Sequence, residues 1–227
     1  MPRQRIAIRT IGKTRVVNRT DELLRLCRDK RVLHLGCADH PFFAQADDRI
    51  LHYRLAEVAR ELWGVDASAA GVAALRAQGV RNVVLGDVEA LEPASVPGPF
   101  DLIVAGELIE HLADPGRFLR SLRALMHPGT ELVLTTPNAS AVKLMIFACL
   151  GREKVHEDHN YYFSYFTIAQ LLNKFNLRSE EIYYYQDVST HGTSMLVDRC
   201  LALVPSVWPM LADGLIVRAT LAASQEG

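Results

Sequence analysis

V-L-H-L-G-C-A-D-H-P, residues Val32 to Pro41, starts as an apolar run of strand length and breaks at a glycine into small and polar residues. A short apolar run bounded by a turn signal suits a strand buried on both faces of a parallel sheet. One glycine stands where a nucleotide-binding turn commonly offers two or three. Taken alone, the stretch reads equally as a cofactor loop in variant form or as a tight strand-to-helix turn, and its neighbours must decide.

Apolar runs of similar length recur at Leu62–Val65, Asn82–Leu85, Asp101–Ala105 and Glu131–Thr135, with helical spacing between most of them. This alternation predicts an α/β fold, a doubly wound parallel sheet with covering helices. Asp114 and Pro115 supply an N-cap and a first-turn proline before Phe118, Leu119, Leu122 and Leu125, and Pro128-Gly129 closes that helix. Thr167–Phe175 reads as a further helix, Glu180–Tyr185 as a sixth strand and Gly214–Leu221 as a seventh. Residues 1–30 read as a helical extension in which Thr20 caps D-E-L-L-R-L-C. The whole of residues 1–227 is expected to be one domain.

The formal charge of -1 and pI of about 6.7 provide no general basic field, which argues against nucleic acid as a partner. Cys27, Cys37, Cys149 and Cys200 are scattered without CxxC spacing, and no charged-then-apolar leader opens the chain. Reduced thiols in a cytoplasmic protein are the expectation. Ala139–Leu150 is the most apolar stretch, but it includes Lys143 and falls short of the roughly 20 residues needed to span a bilayer.

Ligands of open α/β sheets bind beyond the carboxyl ends of the strands. At that edge, the small residues Gly36, Cys37 and Ala38 would let backbone approach a ligand closely. Asp66, ending the second strand, can accept paired hydrogen bonds from the two hydroxyls of a ribose, or else cap the helix that begins near Ser68. Asp87 can meet an adenine amine with Val88 as an apolar wall, or simply close a turn.

The order G-C-A-D, G-V-D-A-S, G-D-V, F-D-L-I-V-A-G-E-L-I-E-H-L, H-P-G-T-E-L-V-L-T-T-P-N, with the later D-H-N-Y-Y-F-S, resembles the class I S-adenosylmethionine-dependent methyltransferases, most closely those acting on small molecules. The resemblance spans roughly Val32 to Leu221. It implies a seven-stranded sheet whose last strand is antiparallel, with the methyl donor lying across the ends of the first three strands. Gly36, Cys37 and Ala38 would face the donor's methionine part, Asp66 and Ala67 its ribose, and Asp87 and Val88 its adenine. Ala105, Gly106 and Glu107 would floor the site near the methyl group. His34 stands where such turns usually carry an acidic residue, and Ala38 and His40 replace later glycines. About 30 residues separate Gly36 from Asp66, so Phe42–Tyr53 is expected to extend the first helix or add a loop.

Methyl transfer needs an aligned nucleophile and, for a hydroxyl acceptor, somewhere for its proton to go. Glu107, Glu110 and His111 form E-x-x-E-H, whose offsets would place all three on one helical face. Glu107, His111 and His159 are the catalytic candidates, with histidine as general base. The set Glu107, Glu110, His111 and His159 also suits a divalent ion such as Mg²⁺ or Mn²⁺, and resembles the metal site of small-RNA 3′-end 2′-O-methyltransferases; a similar E-x-x-E-H occurs in ubiquinone-pathway O-methyltransferases. His156 is an alternative to His159, or a surface loop residue. Residues 139–165 read as a substrate lid. The expected activity is methyl transfer from S-adenosylmethionine to a small-molecule acceptor, most readily at oxygen. The alternatives are metal-dependent RNA 3′-end 2′-O-methylation, an inactive scaffold that kept the fold and, far behind, a nicotinamide-dependent oxidoreductase.

Overall fold

The computed structural model describes residues 8–38, 50–186 and 203–223. Its strands are β1 (Val16–Val17), β2 (Arg31–Leu35), β3 (Glu61–Asp66), β4 (Val83–Leu85), β5 (Leu102–Gly106), β6 (Glu131–Pro137), β7 (Leu177–Tyr185) and β8 (Gly214–Leu221). They form one sheet in the order β1-β7-β8-β6-β5-β2-β3-β4, in which β8 alone runs antiparallel, between β6 and β7. The doubly wound architecture and the reversed last strand are as the sequence implies. The expected seven strands become eight because Val16–Val17 pairs in parallel with Tyr184–Tyr185; two residues are too few for a periodicity signal.

Alternation along the central strands divides the core between the two sheet faces. Leu33 and Leu35 of β2, Ile103 and Ala105 of β5, and Leu132 and Leu134 of β6 pack into one cluster with Phe118, Leu119 and Leu122 of α4 (Pro115–Leu125) and Ile168 and Leu172 of α6 (Tyr165–Lys174). Val32, Leu102, Val104 and Val133 turn to the other face, against Leu23 and Leu26 of α1 (Arg19–Cys27) and Leu51 and Leu55 of α2 (Leu51–Val58). Burying each such side chain contributes about 1.5–3 kcal/mol. α3 (Ala69–Ala77) covers β3 and β4, while α5 (Val142–Cys149) and the single turn α7 (Val204–Val207) lie outside the main core clusters.

Local chemistry sets the helix starts. Asp114 accepts the Arg117 N–H at 2.9 Å ahead of Pro115, as anticipated. In α1 the cap is Asn18, whose Oδ1 accepts the Asp21 N–H at 3.0 Å, so Thr20 lies inside the helix instead of capping it. α1 is tied to the sheet by Glu22, 5% exposed, which accepts hydrogen bonds from the Tyr183 hydroxyl at 2.6 Å and from Arg15 and Arg25. The Arg25 hydrogen bond, aided by Tyr183 and Arg15 and opposed by burial, holds the Glu22 carboxyl at about 2. This anchorage places the start of α1 beside the carboxyl edge of the sheet. No helix among the described residues is long and apolar enough to cross a membrane.

Candidate active site

A cavity of about 660 Å³ opens at the carboxyl edge, lined by Gly36, Ala38, Asp66, Gly106, Glu107 and His111 together with Arg19, His34, Leu51, Leu108 and the loop residues His156, Glu157 and Asp158. Gly36 has a φ of 72°, a left-handed conformation that favours glycine, so this residue is required where the chain leaves β2. The next turn is clamped by Asp66: one carboxylate oxygen accepts the Ala38 N–H at 2.9 Å and the other the Ser68 N–H at 2.8 Å. Ser68 itself caps α3 by accepting the Gly71 N–H. Asp66 is therefore a brace between two turns, and a carboxylate with about four acceptor positions keeps capacity for a ligand.

Ala38 is accommodated by a compensating glycine. A Cβ on Gly71 would stand 2.6 Å from the Ala38 Cβ, so the methyl at 38 occupies the space that position 71 leaves empty. Cys37 belongs to the same small cluster as Ala38, with Val72, Leu75 and Val83, at 1% exposure. Asp87 is exposed beyond β4 and accepts the Glu89 N–H at 2.8 Å, while Val88 is buried in the main core. Ala67 is exposed beside Asp66, and Ala105 is fully buried in β5. Among the described residues, Cys37, Ala67, Asp87, Val88 and Ala105 do not line the cavity. Asp39, His40 and most of Phe42–Tyr53 lie outside the described residues.

His34 faces α2, where its Nδ1 lies 3.2 Å from Nδ1 of His52 with the rings stacked at 15°. Only one proton fits between those nitrogens, so one ring donates and the other accepts. The two are 3% and 2% exposed. Burial holds His34 well below its ordinary pKa, helped by His52 and Arg19, and pushes His52 down to about 4. At neutral pH both are uncharged.

Residues 107–113 form a turn, and α4 starts only at Pro115, so the single helical face expected for Glu107, Glu110 and His111 does not form. Glu107 breaks the helical path with a φ of 49°, unfavourable for a residue other than glycine. Thr135 holds it there: its carbonyl and hydroxyl accept the Glu107 N–H at 3.0 and 3.1 Å, and the hydroxyl donates to Oε1 at 2.9 Å. Glu110 points inward at 0% exposure, and neither of its carboxylate oxygens meets a hydrogen-bond partner among the described residues. Burial, together with the Glu107 charge, pushes its pKa up to about 8, which keeps it protonated near neutrality. Among the described residues the side chains gathered closely enough to share an ion are His111, His156 and His159, so the expected set of Glu107, Glu110, His111 and His159 is not brought together as a cluster in this structure.

What the fold gathers is three imidazoles, of which His111 and His156 line the cavity while His159 does not. The ring of His111 lies 4.6 Å from that of His159 and 5.7 Å from that of His156. Backbone pairing secures this: the Asn160 and Tyr161 N–H groups donate to the Glu110 carbonyl, and the Asn160 side chain donates to the His111 carbonyl. Burial lowers the pKa of both His111 and His159. His156 also lines a neighbouring cavity of about 540 Å³ with Pro137, Ala141, Leu144, Val155, Tyr162 and Tyr185, where Lys143 pairs with Asp213 at 2.8 Å.

Sequence reasoning overlooked Arg19, the lining's one guanidinium among the described residues, and left His156 as a secondary choice. No local pattern signals Arg19, because its position depends on how α1 docks. The H-E-D-H spacing of His156 and His159 was a usable signal, since a turn in which His159 N–H donates to the His156 carbonyl brings them together.

A mostly parallel sheet whose carboxyl edge opens over a glycine turn after β2 and a carboxylate ending β3 defines a Rossmann-like nucleotide-binding protein. The chain belongs to the methyltransferase domain family, which it matches over residues 9–182, and with it to the class I S-adenosylmethionine-dependent methyltransferase superfamily. It is 29% identical over 143 residues to the ubiquinone biosynthesis O-methyltransferase of Pseudomonas aeruginosa, covering 61% of this chain and 57% of that one. The chain thus spans about half the length of the curated relatives it matches. The fold is shared with a SAM-dependent methyltransferase from Archaeoglobus fulgidus (TM-score 0.57, 18% identity, covering 88% of this chain and 92% of that one). It is also shared with the 1,6-didemethyltoxoflavin-N1-methyltransferase of Burkholderia thailandensis, crystallised with S-adenosylhomocysteine (TM-score 0.54, 16% identity, covering 90% and 78%).

Proposed function

We propose that this chain transfers a methyl group from S-adenosylmethionine to an oxygen of a small-molecule acceptor. The observation that carries the reading is the meeting of two cavities at His156: a polar crevice at the strand ends and a largely apolar one beside it. The bound donor would supply a methyl carbon activated by the adjoining sulfonium. Gly36, Cys37 and Ala38 present the turn backbone to its methionine part, and Arg19 offers a cation for the carboxylate. Asp66, with Ala67 beside it, accepts from the ribose hydroxyls using the capacity its two backbone hydrogen bonds leave over. Asp87 and Val88 take the adenine side beyond β4, and Ala105 and Gly106 carry the floor on which Glu107 stands.

Glu107, fixed by Thr135, orients the acceptor, while His111 and His159 take its proton. An Nδ1–H of His111 directed at the Asp158 carbonyl, 3.2 Å away, leaves Nε2 as the basic nitrogen. A hydroxyl acceptor needs that proton removed, a task a basic Nε2 beside the cavity can perform. The name of the P. aeruginosa relative points the same way. We read residues 139–165 of this single domain as the cover of the acceptor cavity, whose aromatic and aliphatic lining includes two lysines, Lys143 paired with Asp213 and Lys154; that largely apolar composition suits a small molecule better than a nucleic acid.

The test is calorimetry with S-adenosylhomocysteine, followed by a screen of phenolic and aliphatic alcohols for methylated product. Saturable binding that weakens at least tenfold in Asp66→Ala is expected. Folded protein that gives no heat with either donor or product would overturn the reading.

A further inference from the structure

The three imidazoles clustered around His156, where the two cavities meet, lie close enough together for a role beyond the proton transfer assigned to His111 and His159. Their ligand nitrogens all lie within 4.8 Å of one another. A tetrahedral ion with metal–nitrogen bonds of about 2.0–2.1 Å needs such nitrogens roughly 3.4 Å apart, so a contraction of at most about 1.4 Å suffices. His156, with 56% side-chain exposure, has the freedom to make it. Two features show preparation. The His111 Nδ1 faces the Asp158 carbonyl at 3.2 Å, the outer hydrogen bond that fixes a ligating histidine's tautomer and presents Nε2. The Nδ1 of His159 is buried without a hydrogen-bond partner among the described residues, although buried polar atoms seldom remain unsatisfied. Glu107, Glu157 and Asp158 line the same cavity and supply negative charge around the cluster.

We propose that His111, His156 and His159 bind a divalent d-block cation of the zinc class, in place of the hard, carboxylate-held ion that the E-x-x-E-H spacing suggests. Three neutral nitrogen donors select such ions over Mg²⁺, and three protein ligands leave a coordination position open for water or an acceptor oxygen. The inference goes beyond the methyl-transfer reading and does not rest on it. If the ion is bound, His111 and His159 hold it and cease to be proton acceptors.

Titration of the metal-free protein with Co²⁺ alone, read by visible ligand-field absorption and by metal analysis after gel filtration, tests this directly. The expected result is one ion per chain with the intense bands of four- or five-coordinate cobalt. Affinity should fall about tenfold or more in His156→Ala and in His159→Ala, remain unchanged in Glu110→Gln, and survive millimolar Mg²⁺. Thermal unfolding of each variant checks that it is folded; His156→Ala, on an exposed loop, keeps the test valid if His159→Ala is not. Absence of stoichiometric cobalt, equal binding in His156→Ala, or displacement by Mg²⁺ would overturn the proposal. Calorimetry with S-adenosylhomocysteine on the same samples reports separately on the donor site.

Discussion

The buried His34–His52 pair makes folding stability sensitive to mild acid, with a sign that follows from the structure. In the unfolded chain a histidine titrates near 6.5, whereas His52 in the folded protein is held at about 4 and His34 is held well below its ordinary value. Between those limits the unfolded chain binds protons that the folded chain refuses, so stability is fully present above pH 6.5 and is lost as pH falls. Each group contributes a slope of about 1.4 kcal/mol per pH unit, and His52 alone accounts for about 3 kcal/mol over the window. His52→Phe keeps a ring in the site but removes one titrating group and leaves the His34 Nδ1 unpartnered, a cost of about 1–3 kcal/mol at pH 7.5. From pH 6.5 to 4.5 the gap between wild type and variant should then close by about 2 kcal/mol, bringing the curves together or across one another. Urea denaturation at four or five pH values measures this, and the carboxylates common to both proteins cancel in the difference. A gap that stays constant with pH would refute the claim that these imidazoles are held neutral by burial.

Gly71→Ala should destabilise by about 1–3 kcal/mol despite alanine's better helix propensity, lowering the melting temperature by about 2–4 °C per kcal/mol. Adding Ala38→Gly, which removes the methyl 2.6 Å from the new Cβ, should restore at least half of the loss. Glu107→Gly relieves the residue's positive φ and should raise stability by about 1 kcal/mol while lowering methyl transfer on whichever acceptor is found. Thr135→Val, nearly isosteric, removes the hydroxyl that holds the Glu107 carboxylate and should lower kcat about tenfold or more, with a smaller change in the KM for the donor; an unchanged kcat would show that Glu107 needs no such support.

Much of the fold was legible because its signals are local. Uninterrupted Val, Leu and Ile runs announce strands buried on both faces, and the Asp114-Pro115 pair marks a helix start within a single turn. The errors arose where long-range packing decides. Val16–Val17 forms a strand only because Tyr184 and Tyr185 offer an edge, and Asn18 outcompetes Thr20 as cap once α1 is tethered through Glu22. At the site, Gly36, Asp66, Glu107 and His111 were found from their places after strands, and all four line the crevice. Extending E-x-x-E-H as a helix failed because the positive φ of Glu107 and the later start of α4 turn Glu110 into the core. Arg19 and His156 come from segments distant in sequence, and only the assembled chain brings them to the rim.

The position of β8 between β6 and β7 has a consequence for synthesis. A nascent chain that has emerged only as far as Tyr185 holds two strands whose inner edges have no mate, because residues 214–221 are made after both of them. Until they arrive, the backbone donors and acceptors along Leu132–Pro137 and Leu177–Tyr185 are open to pairing with other chains. Ribosome stalling or premature termination before Gly214 would accordingly yield a product with two sticky edges, which only the arrival of β8 in its slot covers.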